Sequence, residues 1–468
     1  MRFHTFTLAS LLTFSTSLSY ASGFILNEQS LNGTALNSAY VAGAYGADSS
    51  YYNPANMGFD DNNELELNAT MIFIPGFDFS TNSRDAGLNF GGTQQNPDRR
   101  NTIVDGKANS TLAFVPKMFF KTKALHLSQN IKSNFGVSVT TPSGLTMDWG
   151  KEGGEFMDNV GIAMIEINPV MSLTFGERFS LGGGIRAIYA SGDFDNTLYV
   201  PFDYDFSLAP TTPGIPVKGT TKVTQTSSTK SWGIGYNLAA SLKLTEKTTL
   251  ALTYRSKTHF NMKGKLNANS EVPLGNIIGF ANGVNMNANL NLSTDIPDII
   301  RLGLAHQFEK LLAEFVYEHT FWNKADIFEF QYSNQVFTDP TTGQTITNDL
   351  ILGGVTAADY NAVAMGRGWR NSNAFRLGLT YLYSPKLKLM GSLVYDATPV
   401  PQGKNRFGIP DANAYMLGIG ARYDLWDNRA DVGIAYSLAL KDNTRSFIQS
   451  KDGLGQLHLL TLGLKYRF

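Results

Sequence analysis

From Glu64 onward, apolar and polar residues alternate along the chain with a period of two. In the last such segment the apolar positions are Leu460, Leu462, Leu464, Tyr466 and Phe468. Threonine, glycine, lysine and arginine stand between them, and similar alternation recurs near residues 375–383, 415–423 and 432–440. Successive residues of a strand point to opposite faces, so each segment has one apolar face and one polar or small face. The pattern predicts an all-β fold, a transmembrane antiparallel β-barrel whose apolar face contacts lipid.

The alternating segments number about fourteen, which we place in the barrel at 59–468. They lie near 62–80, 108–121, 131–147, 159–176, 178–206, 217–244, 246–270, 286–306, 307–335, 370–384, 385–405, 410–424, 427–445 and 455–468. An even number of strands lets every strand pair antiparallel and satisfies the backbone within lipid. Tight turns such as Trp426-Asp427-Asn428 alternate with longer connections such as Pro210–Ser228. The non-apolar face consists largely of glycine, alanine, serine and threonine, whereas a soluble β-sandwich would carry charge on its exposed face.

The stretch Gly23–Gly58 does not alternate and is rich in small residues. We predict that Ser30–Tyr45 forms a short helix, which Asp48, Ser49 and Ser50 then break. Asn53-Pro54-Ala55 is predicted to form a rigid turn, because proline fixes its own φ and disfavours the helical region for Asn53. We interpret residues 22–58 as a hatch that folds inside the barrel and plugs it. The alternative is an ordinary N-terminal helix and loop.

Residues 1–21 are typical of a secretory signal peptide. Arg2 and His4 form a short basic start, Phe6–Leu18 is mostly apolar, and Ser19-Tyr20-Ala21 has small residues at the positions that a signal peptidase reads. The mature chain is then expected to begin near Ser22. No later segment has about 18 uninterrupted apolar residues, so a transmembrane helix is not expected. The predicted location is the cell outer membrane, as a multi-pass barrel.

Composition narrows the possible chemistry. Charged residues make up 16% of the chain, below the roughly 25% of soluble domains. The net charge of −1 gives no basic footprint for nucleic acid. Cysteine is absent, so neither a disulfide nor a thiolate metal site can form. G-x-S-x-G and H-E-x-x-H motifs are also absent. We therefore predict no enzyme activity, no catalytic residue, no metal and no cofactor, with a hydrolase whose residues meet only in space as the alternative.

Several short motifs, in a specific order and spacing, resemble one family. They are Gly23-Phe24-x-Leu26-Asn27-Glu28, Asn53-Pro54-Ala55, Pro142-x-Gly144-Leu145, Leu252-Thr253-Tyr254-Arg255-Ser256, Pro297, Trp322, Asp396-x-x-Pro399-Val400-Pro401-x-x-x-x-Arg406 and Ile409-Pro410-Asp411. Together they resemble the FadL family of outer-membrane long-chain fatty acid transporters, whose relatives include the TodX-type aromatic hydrocarbon channels. The resemblance covers most of the mature chain.

The resemblance implies a monomeric fourteen-stranded barrel with an N-terminal hatch. Ligand would enter from outside, reach a pocket beside the start of the hatch, and leave sideways into outer-membrane lipid through a kinked third strand. The candidate ligand-binding residues are Phe24, Trp369 and Arg370, and the candidate gating residues are Asn53, Pro54, Ala55 and Gly144. Gly144 matches the kink, where permissive backbone angles suit a bend, and its alternative role is to relieve crowding in the lumen. The terminal Phe468 resembles the signal read by the barrel assembly machinery.

The family places basic side chains near the ligand carboxylate. One of them matches Arg370, whose alternative role is a rim or lumen arginine in a solvated pair. The other falls near Asp195-Asn196, where this chain has no cation. The resulting expectation is passive, ligand-gated uptake of hydrophobic molecules, with long-chain fatty acids first. Aromatic hydrocarbons are the alternative substrates, and a general porin or an adhesin-like barrel is the lesser alternative.

Overall fold

The structure is a computed structural model. It describes residues 23–82, 103–150, 158–206, 215–271, 283–345, 362–366, 368–401, 403–405, 410–443, 448–450 and 455–468. The predicted signal peptide therefore lies outside the described residues. The helices are α1 (Leu31–Ala35) and α2 (Ser49–Tyr52), with 3-10 turns at Pro54–Phe59 and Trp322–Lys324. The strands are β1 (Glu64–Ile74), β2 (Asp78–Asn82), β3 (Ile103–Lys107), β4 (Thr111–Lys121), β5 (Leu125–Ser128), β6 (Ile131–Thr140), β7 (Gly144–Asp148), β8 (Asn159–Phe175), β9 (Phe179–Phe206), β10 (Ile215–Thr245), β11 (Thr248–Arg255), β12 (Thr258–Glu271), β13 (Gly283–Ile296), β14 (Ile299–Gln307), β15 (Leu311–Thr320), β16 (Ile327–Thr338), β17 (Ala362–Gly366), β18 (Ser372–Ser384), β19 (Leu387–Asp396), β20 (Ala414–Leu425), β21 (Ala430–Lys441), β22 (Ile448–Ser450) and β23 (Gln456–Arg467).

Within the described part of the chain, these segments form a closed antiparallel barrel of fourteen wall strands, as predicted. In the described part of the chain, six wall strands are interrupted and consist of two segments each. They are β4 with β5, β6 with β7, β11 with β12, β13 with β14, β15 with β16, and β17 with β18. The first and last wall strands close the barrel, because β1 pairs with β23 from Glu64 opposite Arg467 to Phe73 opposite His458. In the described part of the chain, this pairing closes the ladder apart from the interruption of the third wall strand, and a closed ladder satisfies the backbone within lipid.

The alternating residues separate onto the two faces of the wall. Ile234 and Ile419 are 75% and 64% exposed on the outer face, where lipid covers them. The lumen face is more charged than the small-residue pattern suggested, and this corrects the sequence-based description. Its buried charged side chains include Glu66, Glu166, Arg186, Arg255, Arg301, Glu314, Glu318, Arg376, Arg422, Asp431 and Lys465. They lie inside the barrel because ion pairs with one another and hydrogen bonds to the hatch offset their desolvation.

Short turns lie at the rim that also holds both ends of the wall, which is the periplasmic rim in barrels of this kind. Trp426, Asp427 and Asn428 form one of them, with φ of 50°, 52° and 68°. At the opposite rim, the predicted long connection Pro210–Ser228 is wrong in part, because β10 already begins at Ile215 and pairs with β9. Polar strand residues continue this hairpin beyond the apolar band. The strands β2, β3 and β22 form a separate small sheet.

The third wall strand is interrupted at 141–143, between β6 and β7. Towards β8 the ladder resumes with one extra residue, because Thr140 pairs with Glu166 and Gly144 pairs with Ala163. Towards the second wall strand, the described pairing of β4 with β6 ends at Met118 opposite Val139. The next cross-link is the bond from the Asn109 N–H to the Asp148 oxygen, at 2.9 Å. One extra residue on one strand is the signature of a bulge, which bends the strand.

Residues 23–58 lie inside the barrel and are almost entirely buried. The predicted helix over Ser30–Tyr45 is wrong in length, because α1 covers only Leu31–Ala35. Asn37 and Ser38 adopt positive φ of 44° and 60°, which ends the helix. The predicted break at Asp48–Ser50 is instead the start of α2, with Asp48 at its N-cap position. Among the described residues, no helix is long and apolar enough to cross a membrane.

Phe468 follows β23 at the periplasmic rim and completes the barrel closure. Its N–H donates to the Asn63 oxygen at 3.0 Å, and its ring stacks with Phe120 and Tyr466. We expect deletion of Phe468 to lower the yield of assembled barrel several-fold, since an apolar C-terminal aromatic is what the assembly machinery would recognise. The amount of heat-modifiable protein in outer-membrane fractions is the measurement. Phe468→Tyr should assemble like the parent, and an unchanged yield after deletion would contradict the assignment.

Candidate functional site

The hatch begins in an aromatic cluster inside the lumen. The Phe24 ring centre lies 5.0 Å from that of Trp322 and 6.3 Å from that of Trp369, and the two indoles are 4.9 Å apart. Phe24 and Trp322 are almost fully buried. A side chain at Gly23 would come within 2.7 Å of Trp322, and Gly23 has a φ of 68°, so only glycine fits here. The hatch therefore starts enclosed by apolar rings.

A buried acidic residue fixes this starting point. Asp411, between β19 and β20, accepts hydrogen bonds from the Gly23 N–H at 3.1 Å and from the Thr398 hydroxyl at 2.7 Å. Lys441 forms an ion pair with its other oxygen at 2.9 Å. Burial raises the pKa of Asp411, and the Lys441 ammonium opposes this shift. The chain just after the predicted cleavage site is thus tied to the last third of the barrel.

Apolar side chains from at least six strands surround the aromatic cluster. They include Phe77, Phe79, Met147, Trp149, Val160, Ile162, Met164, Ile188, Phe260, Met262, Leu292, Phe328 and Val400. We call this set, with Phe24, Trp322 and Trp369, the lumen cluster. Arg370 follows Trp369 directly, but its side chain is exposed and its N–H donates to the Pro399 oxygen at 2.9 Å. A solvated guanidinium contributes less to binding than a buried one.

Next to the lumen cluster, the hatch takes the place of a wall strand. Ile25 forms an antiparallel bridge with Ser143, and the Leu26 N–H donates to the Pro142 oxygen at 3.0 Å. The Ser143 hydroxyl donates to the Phe24 oxygen at 2.8 Å. These contacts fall on residues 141–143, where the third wall strand is interrupted. The hatch thus supplies partners that β4 does not supply.

Gln29 completes this contact with its side chain. Its amide nitrogen donates to the Thr141 oxygen at 2.8 Å, and its amide oxygen accepts from the Thr141 N–H at 3.0 Å. A side-chain amide can satisfy a strand residue in this way because it carries both a donor and an acceptor. At the interruption, the first seven residues of the described hatch therefore make the contacts on the side that β4 leaves open, while on the other side the Met164 N–H of β8 donates to the Ser143 oxygen at 3.2 Å.

A lumen carboxylate holds the middle of the hatch. Glu314 accepts hydrogen bonds from the N–H groups of Val41 at 2.6 Å, Ala42 at 2.6 Å and Gly43 at 2.9 Å. Three backbone donors around one carboxylate form an anion nest. A side chain at Gly43 would come within 2.7 Å of Glu314, so glycine permits the approach. This carboxylate thus satisfies three N–H groups of a buried, non-helical turn.

Three arginines of the wall bind other parts of the hatch. Arg376 donates to the Asn37 oxygen at 2.9 Å, and Arg301 donates to the Asn27 side chain at 2.6 Å; both arginines pair with Glu318. On the other side of the lumen, Arg422 donates to Asn32 at 2.7 Å. Each of these bonds is charge-assisted and therefore stronger than a neutral hydrogen bond. The wall fixes the hatch through polar contacts rather than through an apolar core alone.

Asp48 is the buried acidic residue at the centre of the hatch. It accepts from the Ser30 hydroxyl at 2.7 Å, from Asn32 at 3.2 Å and from the Tyr40 hydroxyl at 3.2 Å. Burial, followed by the negative charge of Glu66, raises the pKa of Asp48 to about 7. The hatch therefore contains an acid that is only partly ionised at neutral pH.

The predicted gating motif Asn53-Pro54-Ala55 lies where the hatch meets the fifth and sixth wall strands. Asn53 is extended, with φ of −159°, and its side chain donates to the Val41 oxygen at 2.8 Å and to the Ser241 hydroxyl at 2.9 Å. A side chain at Gly182 would lie 2.4 Å from the Ala55 nitrogen. The motif thus packs directly on the wall, far along the chain from the aromatic cluster. A group of three or more residues suited to holding a metal ion is not found in the described ranges.

Comparison with known proteins identifies the family. The model of the family described as outer membrane protein transport protein (OMPP1/FadL/TodX) matches residues 12–463. The chain belongs to this family. It is therefore an outer-membrane transporter of the FadL/TodX type for hydrophobic substrates, in a family composed of transport channels rather than enzymes.

Relatives and solved structures agree with this assignment. The chain is 24% identical to the long-chain fatty acid transport protein of Escherichia coli K12 over 446 residues, covering 89% of this chain and 88% of that protein. It is 23% identical to outer membrane protein P1 of Haemophilus influenzae over 340 residues, covering 69% and 66%. A Pseudomonas aeruginosa FadL homologue superposes with a TM-score of 0.70 and 21% identity, covering 95% of this chain and 100% of that structure. The Pseudomonas putida toluene transporter TodX gives a TM-score of 0.65 and 15% identity, covering 95% and 99%. A FadL homologue and a toluene transporter thus share the fold of this chain.

Of the predicted site residues, Phe24 and Trp369 meet in the lumen cluster, and Gly144 begins the strand segment beside it. Arg370 is exposed nearby, while Asn53, Pro54 and Ala55 lie elsewhere on the wall. Sequence analysis did not predict the charged lumen residues that bind the hatch, such as Glu314 and Arg376. The sequence did contain a signal for them. Each is a charged residue at a polar position of an alternating strand, and such a position faces the lumen, where an empty barrel would not require a charge.

The hatch contacts lead to a testable prediction about conductance. Deleting Gly23–Tyr52 should leave a folded barrel, because outside the interruption at 141–143 the described wall strands pair with one another, and water can hydrate the exposed lumen charges. The deletion should turn the protein into a leaky pore with a several-fold larger single-channel conductance in planar bilayers. Glu314→Ala, which removes one carboxylate from the hatch contacts, serves as the milder variant. A deleted protein that assembles and conducts no more than the parent would contradict a plugging role.

Proposed function

We propose that the protein takes up long-chain fatty acids by passive diffusion that the ligand itself gates. The observation that carries the proposal is the double role of Phe24. Its ring packs against Trp322 in the lumen cluster, and its carbonyl oxygen accepts from Ser143 at the interruption of the third wall strand. A ligand that displaces the ring would also break the contact at the wall.

The lumen cluster provides affinity for an alkyl chain. Each buried CH₂ group contributes about 0.8 kcal/mol, so a long chain gains enough to leave water and to displace Phe24. Residues 22–58 act as the hatch in this proposal and prevent leakage while no ligand is bound. A gate that the ligand opens suits a hydrophobic substrate, since a permanently open aqueous pore would offer the alkyl chain no apolar surface to bind.

Release is proposed to go sideways into outer-membrane lipid. Between Met118 and the bond at Asn109, β4 has no described partner in the third wall strand, and hatch residues 24–29 cover the opposite side. Gly144 stands at the end of this interruption, where a residue without a side chain would leave room for a ligand to pass. Movement of the hatch start would uncover it. Asn53-Pro54-Ala55 would be the fixed point about which the rest of the hatch moves.

The proposal further assigns a monomeric state and assembly by the barrel assembly machinery. Aromatic hydrocarbons are the second candidate substrate class, supported by the fold shared with the toluene transporter TodX. A general porin or an adhesin-like barrel fits less well, because the lumen is filled by a bound hatch and an apolar cluster. A water-filled pore needs charged constriction rings that face open water.

A disulfide lock tests the proposed gate. The chain has no cysteine, and Ile25 and Ser143 face each other as an antiparallel bridge pair next to the bond from Leu26 to Pro142. Such non-hydrogen-bonded pairs bring Cα atoms to about 4.5 Å, within disulfide range. The double variant Ile25→Cys, Ser143→Cys should lose most fatty acid uptake when oxidised and regain it with a membrane-permeant reductant. Uptake of radiolabelled oleate by whole cells is the measurement.

The two single-cysteine variants are the controls, because each removes a side chain without forming the lock. They should transport at the same rate with and without reductant. Equal transport by the oxidised double variant, with the disulfide shown by mass spectrometry, would mean that the hatch start does not move during uptake.

Arg370 gives a prediction on the head group. Because its side chain is exposed, Arg370→Ala should weaken fatty acid binding only slightly, by up to about fivefold for roughly 1 kcal/mol. Binding of the matching alcohol should not change. Titration of parent and variant with acid and alcohol, followed by tryptophan fluorescence, is the measurement. A loss of more than fiftyfold for the acid alone would place the carboxylate directly on Arg370, and equal losses for both ligands would assign it a structural role.

A further inference from the structure

Deeper in the lumen, the lumen cluster ends against a group of buried polar residues. The group, which we call the polar floor, consists of Glu166, Arg186, Asn237, Arg255 and Thr258. Three of them lie two residues along their strand from an apolar member of the lumen cluster: Glu166 from Met164, Arg186 from Ile188, and Thr258 from Phe260. All five are at most 4% exposed.

The polar floor carries a net positive charge. Arg186 and Arg255 both pair with the single carboxylate of Glu166, and Arg186 does so at 2.8 Å. Arg186 also donates to the Ser256 oxygen at 2.8 Å, and Arg255 lies 4.3 Å from the ring centre of Tyr51. In the part of the chain that the structure describes, no second carboxylate pairs with either arginine. A buried excess of one positive charge is costly unless an anion or water compensates it.

Two neighbours of these arginines have polar atoms without partners. Asn237 stands directly opposite Arg255 on the adjacent strand, and neither its amide nitrogen nor its amide oxygen has a hydrogen-bond partner. Thr258 likewise leaves its hydroxyl unpaired. A side chain built at Gly235, opposite Arg186, would lie 2.5 Å from the Thr258 hydroxyl and 3.5 Å from Arg186 Nη1. The unpaired hydroxyl and the guanidinium therefore converge on one point.

Buried polar groups in proteins are nearly always hydrogen-bonded, so unpaired donors beside an excess positive charge mark a place for an acceptor with negative charge. We propose that the polar floor binds the carboxylate of a fatty acid whose alkyl chain lies in the lumen cluster. This inference rests on the proposed function and narrows its substrate class to amphiphilic carboxylic acids over hydrocarbons. The polar floor is a different position from Asp195-Asn196, where the family resemblance places a second cation, because Arg186 lies ten residues before Asn196 on the same strand, β9, or about 33 Å along it.

A second pair of arginines in the lumen differs from Arg186 and Arg255 in its charge balance. Glu318 also pairs with two arginines, Arg301 and Arg376, but there Asp396 lies 3.5 Å from Arg376 and supplies a second negative charge. That group is balanced and bonded to the hatch. Among the described residues, the polar floor has no such second carboxylate; it borders the apolar cluster and contacts the hatch only where Arg255 lies over Tyr51.

The test uses the full-length protein in lipid nanodiscs at pH 8, with dodecanoate and dodecan-1-ol as probes. Trp149, Trp322 and Trp369 in the lumen cluster report binding by fluorescence. Arg186→Gln should weaken dodecanoate binding by about ten- to a hundredfold, the range for loss of a charge-assisted hydrogen bond. Dodecanol binding should stay within about twofold, and Arg186→Lys should restore most of the acid affinity.

Asn237→Asp gives an independent variant that breaks no existing ion pair. The new carboxylate opposite Arg255 would cancel the excess charge at nearly constant shape, so dodecanoate binding should fall while dodecanol binding is kept. Arg301→Gln is the matched control, a buried arginine from the balanced group, and it should leave the ratio of acid to alcohol affinity unchanged. Heat-modifiability verifies the fold of each variant.

Equal affinities of the parent for acid and alcohol would overturn the inference. Equal losses of affinity for both probes in Arg186→Gln and Asn237→Asp would also overturn it. In either case, the unpaired atoms of the polar floor bind only water. These outcomes would not contradict the proposed function, which is uptake of hydrophobic molecules. If neither probe binds the parent, the proposed function fails, and the inference fails with it.

Discussion

The structure depends on one constraint, which is that the backbone of the hatch is almost entirely buried and must find its hydrogen-bond partners within the protein. Only nine residues of the hatch are in α-helix, so most of its N–H and C=O groups cannot bond within a helix. The wall must therefore provide partners from side chains. Glu314 accepts three N–H groups, and Arg376 and Lys117 donate to the oxygens of Asn37 and Glu28. These charges belong to the wall but serve the hatch, and for this reason the lumen face carries charges that an empty barrel would not need.

The same constraint separates fixed from movable parts of the hatch. From Leu31 to Asn56, the hatch is held by charged side chains of several strands and by the bonds of Asn53 and Asn56 to Val41. From Phe24 to Gln29, the contacts with the third wall strand are neutral hydrogen bonds, each with a net contribution of about 1 kcal/mol. Charged groups also hold Asn27 and Glu28, through Arg301 and Lys117, so the contacts that cost least to break are those of Phe24, Ile25 and Leu26 with the third wall strand. A ligand that competes for the aromatic rings thus acts on the weaker end.

The alternating pattern predicted the barrel well, because every strand must place one face in lipid and one in the lumen. Strand number and the positions of most strands followed from this single requirement. The hatch was predicted less well. Its small residues suggested one helix over Ser30–Tyr45, but Asn37 and Ser38 turn the chain at positive φ to reach Arg376 and Ser392. Contacts with strands more than three hundred residues away decide that turn, and no local pattern contains them.

The site residues also divide into those that local sequence motifs predicted and those that depend on distant contacts. Phe24 and Trp369 were predicted from motifs and do meet, whereas the pairing of Arg186 and Arg255 through Glu166 was not predicted. Each of the three is an ordinary polar position in its own strand, and only the register of four neighbouring strands brings them together. Motifs therefore identify the residues that a family shares, while the closed ladder of the barrel determines which of this chain's own charges face one another. A head-group specificity that resides in such charges has to be read from the register of the strands.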